Sequence, residues 1–226
     1  AREHNIEITL VGRGEDILDC LNDLGINTLP QGIEIAYASE VIEMDDDPAT
    51  AIRTKKDSSM TVALNLLKEG KGDALVSAGS TGALLSGATL IVKRIRGVRR
   101  AALAPVLPTK NGGCLLIDCG ANVECTPEYL LQFAYMGSCY VTNVLKKPGP
   151  RVGLLNIGTE PTKGGELQRE AYRLLTEQRE KDRLNFIGNI EARDVLAGVA
   201  DVVVCDGFSG NILLKSIEGT AKFIVD

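Results

Sequence analysis

DVVVCDGFSGN, residues 201–211, carries the plan of the chain in one short stretch. Its apolar run is one strand long and has no polar alternation, as befits a strand covered on both faces. The glycine-bearing polar turn behind it ends where a helix can begin. Three other segments repeat that order: DALVSAGSTGA (73–83), GCLLIDCGAN (113–122) and RVGLLNIGTEPTKGG (151–165). Strand, glycine loop and helix in succession describe parallel strands joined by crossovers, so the expected fold is α/β, a three-layer α/β/α sandwich on a largely parallel or mixed sheet. Ligands of such folds bind beyond the carboxyl ends of the strands, where the four loops should meet. Backbone N–H groups and small polar side chains gathered there form a cradle for phosphate.

Around these segments the remaining elements follow from pattern. IEITLVG (6–12) and IEIAYA (33–38) read as strands and 15–24 as a helix. GRGED (12–16) lacks the third glycine of a dinucleotide fingerprint and reads as a tight turn. Asp47 before Pro48 is a helix start, and Ser58 or Ser59 can cap the next helix. Residues 81–95 should form a helix whose Gly82 and Gly87 permit close packing. Further strands are expected at 101–107 and 114–118, a helix at 127–145 after Thr126–Pro127, a break at KKPGP (146–150), a strand at 151–156, a helix near 166–180 and a last helix at 211–225. That last helix meets the chain end without a cap, so residues 1–226 are expected to be a single α/β domain with native segments beyond its ends.

Composition bounds the chemistry. With 44% apolar and only 4% aromatic residues, the core must rest on Leu, Ile, Val and Ala. A net charge of −5 and scattered aromatics argue against nucleic-acid binding. One basic segment stands out, KRIRGVRR, with Lys93, Arg94, Arg96, Arg99 and Arg100 and no acid among them. It reads either as a solvated helix end or as a docking patch for an acidic partner or anionic lipid. Six cysteines without a CxxC pair read as reduced thiols of a cytosolic protein. No run approaches the length of a membrane span. The acidic group Glu43, Asp45, Asp46 and Asp47 invites a magnesium reading, but lacks a histidine and suits a solvated loop better.

The only histidine, His4, opens the chain, which disfavours a Ser–His or Cys–His nucleophile. Neither HExxH nor GxxxxGK[ST] occurs, so zinc hydrolysis and Walker-type phosphate binding are equally poor readings. A reaction whose reactant brings its own nucleophile remains. Inorganic phosphate is such a reactant, already anionic at neutral pH and in need mainly of positioning.

The stretches EVIEMDDDPATAIRTKKDSSM (40–60), VSAGSTGALLSGA (76–88), LPTKNG (107–112), LIDCGANVECTPEYLLQFAYMG (116–137), GLLNIGTEPTKGGEL (153–167), NFIGNIEARD (185–194) and VVVCDGFSGNILLKSIEG (202–219) closely resemble the bacterial phosphate acyltransferase (PlsX) family of phospholipid synthesis. They lie in order along almost the whole chain. Ser80 stands where that family most often has Asn, Gly165 stands where KGNE is usual, and the family's leading DAMGGD-type segment is not in this sequence. The resemblance implies an isocitrate/isopropylmalate dehydrogenase-like fold and transfer of a long acyl chain from acyl carrier protein to inorganic phosphate, without a cofactor. It further implies a cytoplasmic homodimer with peripheral contact to the inner face of an anionic membrane. A short-chain acyl-CoA phosphotransacylase and a non-enzymatic carrier-protein or membrane scaffold are the competing readings.

Motif and chemistry together nominate residues. Gly79, Ser80, Thr81 and Gly82 would cradle phosphate or the thioester oxygen, or form only a turn. Asp118 and Asn122 would orient loop amides or bind a reactant, the alternative being that Asp118 only caps a helix or pins a neighbouring loop. Lys163 would neutralise phosphate from its loop. Asp206, Ser209 and Asn211 would occupy the last strand end, and Lys215 would share the helix face of Asn211, with Asp206 holding that lysine or the loop. The acidic carrier would give Lys93, Arg94, Arg96, Arg99 and Arg100 a partner. Direct attack by phosphate makes a cysteine intermediate unnecessary.

Overall fold

The computed structural model describes residues 5–226, so His4 lies outside the described residues. The chain forms two compact units, one up to Ile95 and one from Arg96 to Asp226.

In the first unit, strand β1 (Ile8–Gly12) pairs in parallel with β2 (Ile33–Tyr37), and helix α1 (Gly14–Asp23) connects them. Asp47 caps α2 (Pro48–Thr54), accepting from Thr50 N at 2.9 Å, and Ser58 caps α3 (Ser59–Lys68). Helix α4 (Thr81–Gly87) continues as a π-helical turn over Ala88–Val92. A methyl group at Gly87 would stand 2.4 Å from Leu64 Cδ1, and one at Gly82 would stand 2.9 Å from Pro48 Cγ. Both glycines are therefore packing devices, as expected. Ile52, Met60, Leu64 and Ala83 form this unit's core.

Residues 73–79 do not form the expected strand. Among the described residues β1 and β2 pair only with each other, and the run joins neither of them. Leu75 packs against the core, whereas Val76 is 97% exposed.

The second unit is the sandwich. Its sheet runs β3 (Val106–Thr109), β4 (Gly112–Ile117), β7 (Val202–Val204), β5 (Val152–Leu155), β6 (Phe186–Ile190), with only the β3–β4 pair antiparallel. Leu115, Ile117, Val152, Leu154, Phe186, Val202 and Val204 face α5 (Pro127–Asn143) and α6 (Glu166–Glu180). Cys114, Leu116, Val203 and Ile190 face α7 (Ala192–Val195) and α8 (Gly207–Val225). Strands covered on both faces need no polar alternation, which is why these segments read as unbroken apolar runs. Gly137 brings α5 onto the sheet: its methyl would stand 2.5 Å from Val202 Cγ1.

Two boundaries move. The strand expected from 101 begins at Val106, because Pro105 has no N–H for the ladder and Leu103 N turns instead onto the Asp118 carboxylate, 2.8 Å away. The last helix begins at Gly207 rather than 211, because Asp206 caps it by accepting from Ser209 N at 2.8 Å. The final glycine loop is thus largely the first turn of a helix.

Candidate active site

Strands β4, β7 and β5 are parallel neighbours, so the segments that follow them, 118–122, 205–211 and 156–165, emerge side by side. The first two are locked together. Asp118 N donates to Cys205 O, Gly207 N donates to Asn122 O, and Cys205 Sγ donates to Asp118 O. The approach is too close for side chains: a methyl on Gly207 would lie 2.6 Å from Asn122 O, and one on Gly210 would lie 2.0 Å from Asp118 O. Gly120, at φ +132°, faces the Asn211 side chain.

Asp118 is fully buried. Its Oδ1 accepts from Leu103 N (2.8 Å) and Ala121 N (3.2 Å), and its Oδ2 from Asn122 N (2.7 Å) and Asn122 Nδ2 (2.9 Å). Four donors occupy the acceptor capacity of one carboxylate. Asn122 Nδ2 also reaches Ala101 O at 2.8 Å. This geometry favours the pinning role for both residues. Asp206 is engaged likewise, its second oxygen accepting from Ser209 Oγ at 2.9 Å.

Helix α8 presents its N-terminus to this end of the sheet, with Ser209 partly exposed and Asn211 exposed on its first turns. A helix of this length directs partial positive charge and N–H groups toward an anion. Lys215 follows Asn211 by four residues along α8, and of the two partners expected for Asp206 the loop is the one engaged. The Lys215 ammonium pairs with Glu218 at 2.7 Å, whereas the Asp206 carboxylate is taken up by Ser209. Lys163 is exposed, its backbone turned back on Glu160 O and its stem lying over Gly158.

In the first unit Gly79, Ser80, Thr81 and Gly82 build the start of α4, where the buried Ser80 Oγ accepts from Ala83 N at 3.3 Å. Serine serves this capping role as well as asparagine does. Lys93 and Arg94 close this unit, just past the π turn, and Lys93 is left-handed at φ +73°. Arg96, Arg99 and Arg100 open the second unit, where Gln132 binds Arg99 N and Gly97 O and Arg100 lies 5.6 Å from the Tyr129 ring centre. Lys93 thus caps the π turn, and Arg96, Arg99 and Arg100 lie in the loop that leads toward β3.

Burial pushes the Cys119 thiol up to about 11 and the Cys205 thiol well above its ordinary value, with neighbouring carboxylates adding to the shift. Neither is a thiolate at neutral pH. The acids of 43–47 are drawn into local structure: Asp46 pairs with Lys55 and Asp47 caps α2. Among the described residues no group of His, Cys, Asp or Glu is arranged to hold a metal ion, and no helix is long and apolar enough to cross a membrane.

Two residues escaped the sequence reading. Asn156, just past β5, and Asn189, in β6, hold the Lys163 loop, and for Asn189 the signal was there, since asparagine is unusual inside a strand as apolar as FIGNI.

The fold defined by these elements is that of the phosphotransacetylases. A EutD phosphotransacetylase from Staphylococcus aureus superposes on 97% of this chain and 83% of its own with a TM-score of 0.66 at 19% identity. A branched-chain phosphotransacylase from Enterococcus faecalis covers 94% and 84%, with a TM-score of 0.55 at 17% identity. The family described as fatty acid synthesis protein matches residues 1–226, and the chain belongs to it. Among its relatives are phosphate acyltransferases from Desulfitobacterium hafniense, 52% identical over 220 residues (97% of this chain, 64% of the relative), and Shouchella clausii, 50% identical over 220 residues with the same coverage. A third, from Clostridium kluyveri, is 50% identical over 224 residues, covering 99% and 65%. The chain thus spans about 64% of the length of the curated relatives it matches.

Proposed function

We propose that the full-length protein transfers a long-chain acyl group from acyl carrier protein to inorganic phosphate. The observation that carries this reading is the roughly 50% identity to phosphate acyltransferases over 97% of the chain. A phosphate oxygen attacks the thioester carbonyl carbon, and the carbonyl electron pair collects on its oxygen. As the carbonyl reforms, the C–S bond breaks, and the carrier leaves as a thiolate that takes up a proton. Acyl phosphate and free carrier result.

Lys163 neutralises phosphate, and Asn211 on α8 donates toward the anion or the developing oxyanion, where one placed donor can contribute roughly 3–4 kcal/mol; Ser209 joins it only when its hydroxyl leaves Asp206. Asp118, Asn122 and Asp206 are positioning residues. Gly79, Ser80, Thr81 and Gly82 remain candidates for the thioester side. Lys215 is retained as a weaker candidate that must leave Glu218 to act. Lys93, Arg94, Arg96, Arg99 and Arg100 would attract the acidic carrier by charge. A cytoplasmic homodimer touching an anionic membrane at its periphery completes the reading.

The test is phosphate titration of acyl-carrier-protein consumption by the full-length protein, with acyl phosphate trapped directly. Saturable, phosphate-dependent product is expected, and Lys163→Met should lower kcat/KM roughly 100-fold. Product from short-chain acyl-CoA but not from the carrier would move the assignment to a phosphotransacylase. Carrier binding without thioester loss would leave a scaffold.

A further inference from the structure

The geometry points to Asn189 as the residue that sets where Lys163 stands, acting through the backbone of its loop. Asn189 lies in β6, only 6% exposed, opposite Leu154 of β5. Its Nδ2 donates to Glu160 O at 2.8 Å. That carbonyl also accepts from Lys163 N at 3.1 Å, closing the turn that carries the lysine. On the other side of the same residue, Lys163 O accepts from Asn156 Nδ2 at 3.1 Å, while Asn156 Oδ1 accepts from Ile157 N at 2.8 Å. Lys163 is thus held at both its N–H and its carbonyl. The hold on Glu160 comes from a buried strand and not from the loop itself.

The desolvation argument singles out Asn189. Asn189 Oδ1 is buried with no hydrogen-bond partner, so only half of this amide is satisfied. An apolar side chain would fill the position without leaving a buried acceptor unpaired. What it could not supply is the donor to Glu160. The strand therefore carries a locally unfavourable residue whose one satisfied group is spent on the lysine turn. A loop rich in glycine and proline, TEPTKGG, would otherwise sample many backbone states. Fixing its carbonyls converts a wandering ammonium into one aimed at a set place, and small displacements of such groups are costly to a reaction.

This inference rests on Lys163 being the phosphate ligand, so two readouts keep the two claims apart. The first needs no activity: hydrogen exchange of the full-length protein carrying Asn189→Leu, with Asn189→Ala in its place if the leucine variant does not fold. Exchange across 157–165 should rise about tenfold while β7 keeps its protection. Unchanged exchange in the loop, or an equal rise in β7, overturns the positioning role. The second is a double-mutant cycle on the phosphate KM. Asn189→Leu should raise KM about tenfold with kcat nearly constant, and raise it less than about twofold in the Lys163→Met background. The same factor in both backgrounds overturns the proposal. Loss of the exchange effect with turnover intact would sink Asn189 alone. An exchange effect without any phosphate-dependent turnover in the wild type would sink the acyltransfer reading alone.

Discussion

Two buried aspartates stand at opposite ends of adjacent strands and are satisfied by opposite means. Asp118 follows β4 at the carboxyl end, where backbone and side-chain amides supply its donors. Asp201 precedes β7 at the amino end, where Lys147 Nζ (2.5 Å) and Arg151 Nη2 (2.9 Å) meet its Oδ1, while Arg151 N and Nε meet its Oδ2. Charge is neutralised at the end remote from the loops. At the loop end a carboxylate is solvated by neutral dipoles, which fixes the geometry of the segments that it joins. The same residue type therefore pairs charges at one end and holds loop amides at the other.

The contrast predicts unequal costs. Asp118→Leu removes one acceptor group from four donors, and backbone N–H groups held in a packed loop cannot turn to water. At roughly 1–3 kcal/mol for each unsatisfied group, the loss should reach about 4 kcal/mol or prevent folding. Denaturant titration checks this, and a loss below about 1 kcal/mol would break the comparison. Gly210→Ala tests the same joint from the helix side. Its methyl would meet Asp118 O at 2.0 Å and Cys205 Sγ at 2.7 Å, and neither can step aside without moving a strand end. About 3 kcal/mol is expected from overpacking against backbone, with α8 displaced in a crystal structure of the variant.

Asp201→Asn should cost less, about 2 kcal/mol, although it breaks ion pairs. Lys147 and Arg151 side chains are 43% and 39% exposed, so water can solvate them once the carboxylate is gone, and the pair energies are discounted accordingly. Burial alone would raise the Asp201 pKa, but hydrogen bonds from Arg151 and Lys147 outweigh it and hold the carboxyl at about 2. A depressed folded pKa contributes stability above the unfolded value near 3.8, and that contribution is lost as pH falls through about 2. The wild type should therefore lose stability between about pH 4 and pH 2, and Asp201→Asn should flatten that limb. Equal slopes in acid would show that Asp201 is not the group responsible.

How much of this was legible follows from the range of the forces involved. The both-face burial of VVV and CLLI, the Asp47 and Ser58 caps and the close packing at Gly82 and Gly87 are encoded locally, and the sequence displays them. The failed strand at 73–79 depended on having a partner edge, which no local pattern states. The early start of α8 was within reach, because Asp206 three residues before Ser209 is a capping spacing obscured by Gly207 between them. The candidate site divided along the same line. Its loops were readable as strand ends, whereas the consumption of Asp118 by Leu103, Ala121 and Asn122 depends on a segment fifteen residues away. Asn189 was overlooked because its role lies in one contact made 29 residues earlier in the chain.

Lys215→Ala should have the smallest effect and decides how far the loop end extends along α8. Helical spacing places Lys215 on the face of Asn211, but its ammonium is 2.7 Å from Glu218 and its side chain is 64% exposed. Exposed pairs of this kind contribute little to stability, so denaturant midpoints should coincide with the wild type. Turnover separates the two possible uses of the residue. If α8 serves the anion only through its first turn, kcat and the phosphate KM stay within about twofold. A fall comparable to that of Lys163→Met would mean that Lys215 exchanges Glu218 for the anion during the reaction. Glu218→Gln should then raise turnover by freeing the lysine, and its failure to do so would confine the site to the strand ends and the Asp206 cap.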